Sequence, residues 1–124
     1  MIEKTLPKLG IVTVLVILSS IGFMVKLPRT FSHCDKELHF LFYFGAAVVL
    51  NYLFVKKNFL YHLIVVWMLF CAGVFIEIAQ ELSNLFVEKR IHGNFDPEDI
   101  SSNVLGLMLY SFIWVIWRIL LIIK

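Results

Sequence analysis

A chain of 124 residues in which 60% are apolar and only 16% carry a charge does not fit a soluble globular domain, because a protein of this size has too little interior to bury that much apolar surface. The formal net charge of +2 is too small to indicate a nucleic-acid partner. The composition predicts an all-α membrane protein that forms a single domain over residues 1–124 and is surrounded by lipid.

Four long apolar segments follow one another along the chain, at about residues 9–27, 38–55, 59–80 and 100–123. Each approaches the length of about 20 residues that a helix needs to cross a hydrocarbon core. None alternates strictly between apolar and polar residues, as the strands of a membrane barrel do. We therefore predict a compact bundle of four transmembrane helices. The small residues Gly45-Ala46-Ala47 and Ala72-Gly73 are predicted to let neighbouring helices approach closely.

The distribution of basic residues favours one orientation in the membrane. Four spans place both termini and the second turn on one side, which holds six basic residues: Lys4, Lys8, Lys56, Lys57, Arg118 and Lys124. The opposite side holds five, namely Lys26, Arg29, Lys36, Lys89 and Arg90. Because Lys and Arg tend to stay cytoplasmic, we predict that both termini are cytoplasmic. The first segment is predicted to be a retained span and not a secretory signal, since its apolar run continues to Val25 with no cleavage site.

The first polar motif lies where the second apolar segment begins. Ser32 fits a capping box that ends at Asp35. Asp35 and His39 are four residues apart and share one helix face, while Lys36, His39 and Tyr43 form a second, overlapping stripe. A hydrogen-bonded role in the bundle and a role in ligand binding both fit His39.

The second motif lies at the end of the third apolar segment. Glu77 follows an uncharged run that ends at Ile76, and Glu77, Gln80 and Asn84 lie on one helix face. Lipid cannot satisfy these groups, so this face is predicted to be turned toward protein or water. An interhelical hydrogen bond would explain a polar residue here, but an ionisable acid at this depth favours a function.

The third motif lies at the beginning of the fourth apolar segment. Asp96 is predicted to be the N-cap of a helix that has Pro97 at its first position. Acids in the first turn, such as Asp99, complement the helix dipole. Capping does not explain Asn103, which lies one turn beyond Asp99 on a stripe that continues toward Gly106.

The three motifs are predicted to lie at the same face of the membrane, because the spans alternate in direction. Their side chains can then converge on one polar pocket just below the outer surface. The opposite face is predicted to carry almost no polar groups apart from flanking lysines, while Asn51 and Ser111 are predicted to form hydrogen bonds within the bundle. The candidate pocket residues are Asp35, Lys36, His39, Tyr43, Glu77, Gln80, Asp96, Asp99 and Asn103.

In this order on a four-span chain, the motifs resemble those of the VanZ-like family of small bacterial membrane proteins. The matching segments are D-K-x-x-H-F-x-x-Y-F at Asp35 to Phe44, E-x-x-Q at Glu77 to Gln80, and D-x-x-D-x-x-x-N-x-x-G at Asp96 to Gly106. The family commonly has an arginine shortly before the third motif, where this chain has Arg90 and His92. The resemblance implies a multi-pass protein of the bacterial inner membrane, and the founding member confers low-level resistance to teicoplanin.

Three functions fit this pattern. In the first, the pocket engages an envelope molecule at the outer leaflet, such as a lipid-linked cell-wall intermediate or a glycopeptide-related ligand. In the second, the chain is a structural or accessory subunit of a larger envelope complex. The expected partners are accordingly membrane lipids and a membrane protein, and not nucleic acid.

The third function is a small membrane hydrolase or metal-dependent enzyme. His39, Glu77 and Asp99 contain groups suited to general acid and base catalysis or to holding a divalent metal. The sequence shows neither a nucleophile beside a base nor a close metal-ligand spacing. No catalytic residue, metal ligand or cofactor is therefore assigned from the sequence.

Overall fold

The computed structural model describes residues 2–24, 34–55, 57–86 and 95–123. These residues form four helices, and no strand occurs among them. The helices are α1 (Ile2–Met24), α2 (Asp35–Leu50), α3 (Phe59–Leu85) and α4 (Pro97–Ile123), and α2 continues directly into a π-helical segment at Asn51–Val55. The stretches long and apolar enough to cross a membrane are Thr5–Phe23, Asp35–Val55, Phe59–Leu85 and Pro97–Ile123. The prediction of an all-helical, multi-pass membrane protein with four spans is confirmed.

The predicted bounds of three helices are extended in the structure. α2 begins at Asp35 and α4 at Pro97, each about one turn before its apolar run, while α3 continues to Leu85. The apolar runs mark the part embedded in lipid, whereas caps and acidic first turns carry the helices further into the polar interface. α1 lies earlier than the predicted span at 9–27, and residues 25–27 of that prediction lie outside the described part of the chain.

Two helices begin at a capped residue. The Asp96 side-chain oxygen accepts a hydrogen bond from the backbone N–H of Glu98 at 2.8 Å, which fits the predicted N-cap of α4. Asn58 caps α3 in the same way, through a 2.9 Å bond from the backbone N–H of Leu60. Ser32, the predicted cap of α2, lies outside the described residues, and Cys34, which immediately precedes α2, makes no side-chain capping bond.

Small residues bring α2, α3 and α4 together. A Cβ atom at Gly106 of α4 would lie 2.5 Å from the backbone oxygen of Phe40, so α2 and α4 pack at a distance that only glycine permits. The prediction of close helix approach is confirmed at Ala46, Ala47 and Gly73, which are buried, but it is wrong at Ala72, which is exposed, and at Gly45, where nothing lies within 4 Å of an added Cβ. The close contact of α2 with α4 positions the polar side chains described below.

α1 is held against the other helices at both ends. Near its start, the Lys8 ammonium donates a hydrogen bond to the backbone oxygen of Leu53 at 2.7 Å. Near its end, the side-chain amide of Gln80 in α3 donates to the backbone oxygen of Phe23. Between these points the core of the molecule is formed by Tyr43, Ala47 and Leu107, with Phe23 packed against it.

Candidate functional site

The start of α2, the end of α3 and the start of α4 meet at one end of the molecule, and we call the polar side chains there the polar cluster. Its members are the nine candidate residues of the sequence analysis. At its centre His39 and Asn103, both buried, form a hydrogen bond of 2.9 Å between Nδ1 and the amide oxygen Oδ1. An amide oxygen can only accept, so with the amide in this orientation His39 donates from Nδ1. The lone pair of the neutral imidazole is then on Nε2.

Two carboxylates face the other nitrogen of His39. Nε2 lies 3.8 Å from Oδ2 of Asp99 and 4.0 Å from Oδ1 of Asp35. Asp99 is only 6% exposed, whereas 40% of the Asp35 side chain is accessible. Asp99 Oδ1 is buried and has no hydrogen-bond partner among the described residues. The cluster thus contains a buried acceptor whose partner is not supplied by the described chain.

Glu77 is the most deeply buried acid of the cluster, with 0% exposure. Its Oε2 accepts a hydrogen bond from the backbone N–H of Asp96 at 3.2 Å, which ties the end of α3 to the start of α4. Its Oε1 is buried without a hydrogen-bond partner within the described ranges. An unpartnered polar group in a low-dielectric interior raises the free energy of the folded protein. A hydrogen-bond donor or a cation bound to this oxygen would lower it.

Two further candidates shape the interior wall of the cluster. Tyr43 is buried. Its hydroxyl and the Asn103 amide nitrogen both lie close to Gly73 of α3, since a Cβ added at Gly73 would be within about 3 Å of each. Gln80 is buried and donates to the Phe23 backbone oxygen. The Phe23 ring lies 4.1 Å from the His39 ring, measured between centroids, and so covers the imidazole with an apolar surface.

Lys36 and Asp96 lie at the rim. The Lys36 ammonium forms an ion pair with Glu98, and their side chains are 50% and 66% exposed. Asp96 is half-buried and serves as the cap of α4, while its backbone N–H contacts Glu77. Glu98 was not among the predicted residues, because no spacing rule links it to Lys36. The structure therefore divides the nine candidates into a buried group around His39 and a more exposed rim.

The chemistry of the buried group is dominated by acceptors. The unpartnered oxygens belong to Glu77 and Asp99, and carboxylate oxygens accept hydrogen bonds or bind cations. A matching ligand must therefore present hydroxyl, amide or ammonium donors, or a metal ion. An anionic group would be repelled unless a cation accompanied it.

No protein-family model, curated protein or solved structure matches this chain. Membership of the VanZ-like family stays a prediction based on the three motifs. Arg90 and His92, the residues nearest to the arginine of the family, lie outside the described residues.

A second polar network lies at the opposite end of the helices; Asn51 and Ser111 were predicted to bond within the bundle, but His62, which joins them, was not identified from the sequence. His62 of α3 is 1% exposed and forms contacts from Nδ1 to Asn51 Oδ1 at 2.6 Å and from Nε2 to Ser111 Oγ at 3.2 Å. Its ring stacks on Trp114, with 4.3 Å between the ring centroids. The prediction that this face carries almost no polar groups apart from lysines is wrong.

The second network differs from the polar cluster because its side chains satisfy one another. Both ring nitrogens of His62 have partners, and the Asn51 amide also donates to the backbone oxygen of Ala47 at 2.8 Å. Such a network stabilises the packing of three helices without requiring a ligand.

Proposed function

We propose that this chain is a VanZ-like protein of the bacterial cytoplasmic membrane that binds the polar headgroup of a lipid-linked envelope molecule in the polar cluster. Binding at the outer leaflet would change what a glycopeptide antibiotic can reach and so alter susceptibility to it. The ligand class is a membrane-anchored amphiphile whose headgroup carries hydroxyl, amide or ammonium donors, as the sugars and peptides of cell-wall intermediates do.

The observation that carries the proposal is the free oxygen of Glu77. The carboxyl group is fully buried, one of its oxygens is used by the Asp96 backbone, and the other has no partner in the described part of the chain. If Glu77 had only a structural role, a neutral glutamine could have accepted the Asp96 bond. A second acceptor oxygen next to Asp99 supports a site for a donor-rich ligand.

A groove on the surface at the same end gives additional support. It runs between α2 and α4, with polar residues nearest the helix starts and apolar residues about one turn further in. Its lining residues are Lys36, Glu37, Phe40, Leu41, Ser102 and Leu105. This order of polar and apolar residues suits the headgroup and the first part of the hydrocarbon chain of a lipid.

The proposed orientation has both termini in the cytoplasm and the polar cluster at the outer face. Its support is the slight excess of basic residues on the terminal side, concentrated at Lys56 and Lys57. Alkaline phosphatase fused after Asn94 is expected to be active, and the same enzyme fused after Lys124 is expected to be inactive. The reverse pattern would move the cluster to the cytoplasmic face and remove the outer leaflet from the proposal.

The function is tested by teicoplanin and vancomycin susceptibility in a sensitive Gram-positive host. The wild-type chain, Glu77→Gln and Glu81→Gln are expressed at membrane levels matched by immunoblot. Glu81 lies one turn beyond Glu77 on α3, and its carboxylate accepts a bond from the backbone N–H of Phe95 at 3.3 Å. We expect protection with the wild type and with Glu81→Gln, and loss of protection with Glu77→Gln.

Two outcomes would contradict the proposal. Absence of protection by the wild-type chain would remove the connection to glycopeptides, and equal protection by Glu77→Gln would show that the free carboxylate is dispensable. In either case, copurification of a membrane protein in fixed stoichiometry would favour the accessory-subunit hypothesis instead.

A further inference from the structure

Three possible metal ligands come together in the polar cluster. One ligand atom from each of Asp35, His39 and Asp99 lies within 4.8 Å of the other two. Asp35 and His39 are one turn apart on α2, and Asp99 reaches them from α4 because Gly106 allows the two helices to approach closely. This convergence cannot be seen in the linear spacing of the residues.

The two separations from His39 Nε2 are too long for hydrogen bonds and are compatible with ligands of one ion, and the two carboxylate oxygens lie within 4.8 Å of each other. Nε2 of His39 lies 3.8 Å from Asp99 Oδ2 and 4.0 Å from Asp35 Oδ1, well beyond the usual 2.7–3.2 Å or so of a hydrogen bond. Ligand atoms that each lie about 2.1 Å from an ion are separated from one another by about 3.0–4.2 Å, depending on the angle between them. Both measured distances fall within this interval.

The hydrogen bond to Asn103 determines which nitrogen of His39 is available. Nδ1 donates to the Asn103 amide oxygen, so Nε2 of the neutral ring presents a lone pair toward two carboxylates. Three acceptor atoms thus face one another, and a cation placed between them would be bound by all three. Metal-binding histidines are held in this way, with the other ring N–H donated to an oxygen of the protein.

A separate observation also points to a ligand. Asp99 is 6% exposed, and its Oδ1 is buried with no hydrogen-bond partner in the described ranges. A buried carboxylate oxygen without a partner carries a large desolvation cost. Coordination of a cation by both oxygens of the Asp99 carboxylate would remove this cost.

We infer that Asp35, His39 and Asp99 bind one divalent metal ion at this end of the helices. One imidazole nitrogen and two carboxylate oxygens favour Zn²⁺ or Mn²⁺ over Ca²⁺ or Mg²⁺, which prefer oxygen ligands throughout. Three protein ligands leave further coordination positions open to water or to an incoming ligand. Asp35 is the accessible member, with 40% of its side chain exposed, and it provides the side from which the ion enters.

The inference goes beyond the proposed function and does not depend on it. Glu77 carries the proposed headgroup binding, whereas the metal ligands are Asp35, His39 and Asp99. If the protein binds metal but Glu77→Gln does not change antibiotic susceptibility, the metal site is supported and the proposed headgroup binding is overturned. If Glu77→Gln loses protection and the wild-type protein binds no metal, the proposed headgroup binding is supported and the metal site is overturned.

The test uses the full chain purified in mild detergent, stripped with a chelator and dialysed against ZnCl₂ or MnCl₂. Bound metal is measured by mass spectrometry, and affinity is measured by titration calorimetry. We expect one equivalent of metal per chain and a loss of affinity of about tenfold or more in Asp99→Asn and in His39→Gln. Glu98→Gln is the matched control, because Glu98 is one residue from Asp99 but pairs with Lys36. The metal affinity of this variant should equal that of the wild-type protein.

A spectroscopic measurement identifies the nitrogen ligand. Pulsed electron paramagnetic resonance of the Mn²⁺ form should show coupling to an imidazole ¹⁴N nucleus that disappears in His39→Gln. Circular dichroism and size-exclusion chromatography verify that each variant is folded. If Asp99→Asn does not fold, Asp35→Asn provides the same affinity test at a more exposed position.

Three results would overturn the inference. The first is a wild-type protein that stays metal-free at millimolar ZnCl₂ and MnCl₂. The second is metal binding that the Asp35, His39 and Asp99 substitutions leave unchanged. The third is an Mn²⁺ spectrum without nitrogen coupling in the wild type.

Discussion

His39 and Asn103 are 64 residues apart in the chain, yet a hydrogen bond of 2.9 Å joins them in the interior between α2 and α4. This bond fixes the orientation of the imidazole ring and turns Nε2 toward Asp35 and Asp99. It therefore connects the packing of the two helices to the chemistry of the polar cluster.

Asn103→Leu should affect both stability and metal binding. The substitution introduces an apolar side chain of similar size and leaves the buried His39 Nδ1–H without its acceptor, and we expect the free energy of unfolding to fall by about 1–2 kcal/mol. Because the ring loses its orientation, Mn²⁺ affinity should fall by about 10–100-fold. Unfolding in mixed detergent micelles and calorimetric titration measure the two effects.

Asn51→Leu is the matched control for this prediction. Asn51 is also a buried asparagine bonded to a histidine, His62, but it lies at the other end of the helices. It should lower stability by a similar amount and leave Mn²⁺ affinity unchanged. An equal loss of affinity in both variants would indicate general disruption of the fold and not a role of Asn103 in orienting His39.

Gly106→Ala should be destabilising, whereas Gly45→Ala should not. The new Cβ at position 106 would lie 2.5 Å from the Phe40 backbone oxygen and 3.1 Å from the Phe44 backbone nitrogen, so α2 and α4 must separate, at a cost of about 1–3 kcal/mol. At Gly45 nothing lies within 4 Å of the added atom, and alanine should stabilise the helix by up to about 1 kcal/mol. The two midpoints of unfolding are compared directly, and equal shifts would contradict the close packing at Gly106.

Two substitutions of Glu77 should distinguish the contribution of its hydrogen bond to stability from the contribution of its negative charge. Glu77→Gln retains an oxygen that can accept the bond from the Asp96 backbone, so the free energy of unfolding should remain close to that of the wild type. Glu77→Leu removes the acceptor and leaves the Asp96 N–H unpaired, which should cost about 1–3 kcal/mol. The prediction fails if the glutamine variant unfolds as easily as the leucine variant.

Lys36→Ala should have little effect on stability. The Lys36 and Glu98 side chains are half or more exposed, and exposed ion pairs contribute at most about 1 kcal/mol after solvent screening. The midpoint of unfolding should shift only slightly, and the shift should become smaller at high salt. A loss of several kcal/mol would place Lys36 within the buried part of the polar cluster.

The helical architecture could be predicted from the sequence because long apolar runs in lipid have few alternatives to the helix. The cap at Asp96 could also be predicted, since capping depends on residues that are neighbours in the chain. The meeting of the three motifs at one end followed from the alternating direction of the spans. These conclusions rest on local chemistry or on topology, and neither requires knowledge of side-chain packing.

The pairing of side chains across helices could not be predicted in the same way. The bond of His39 to Asn103 depends on the rotation of α2 against α4, which is determined by the contact of Gly106 with Phe40. His62 was missed because its partners lie on other segments of the chain. Its only polar neighbour within one turn of α3 on the N-terminal side is Asn58, which caps the helix.

α4 is attached at two heights, through Asn103 in the polar cluster and through Ser111 in the second network. These residues are eight positions apart, or about 12 Å along the helix axis. Sliding α4 by one turn would break both attachments together, and rotating it would withdraw both side chains from their histidines. Any displacement of α4 caused by an event at the polar cluster must therefore also be accommodated at Ser111, about halfway along the helix, so the polar cluster and the second network are mechanically coupled.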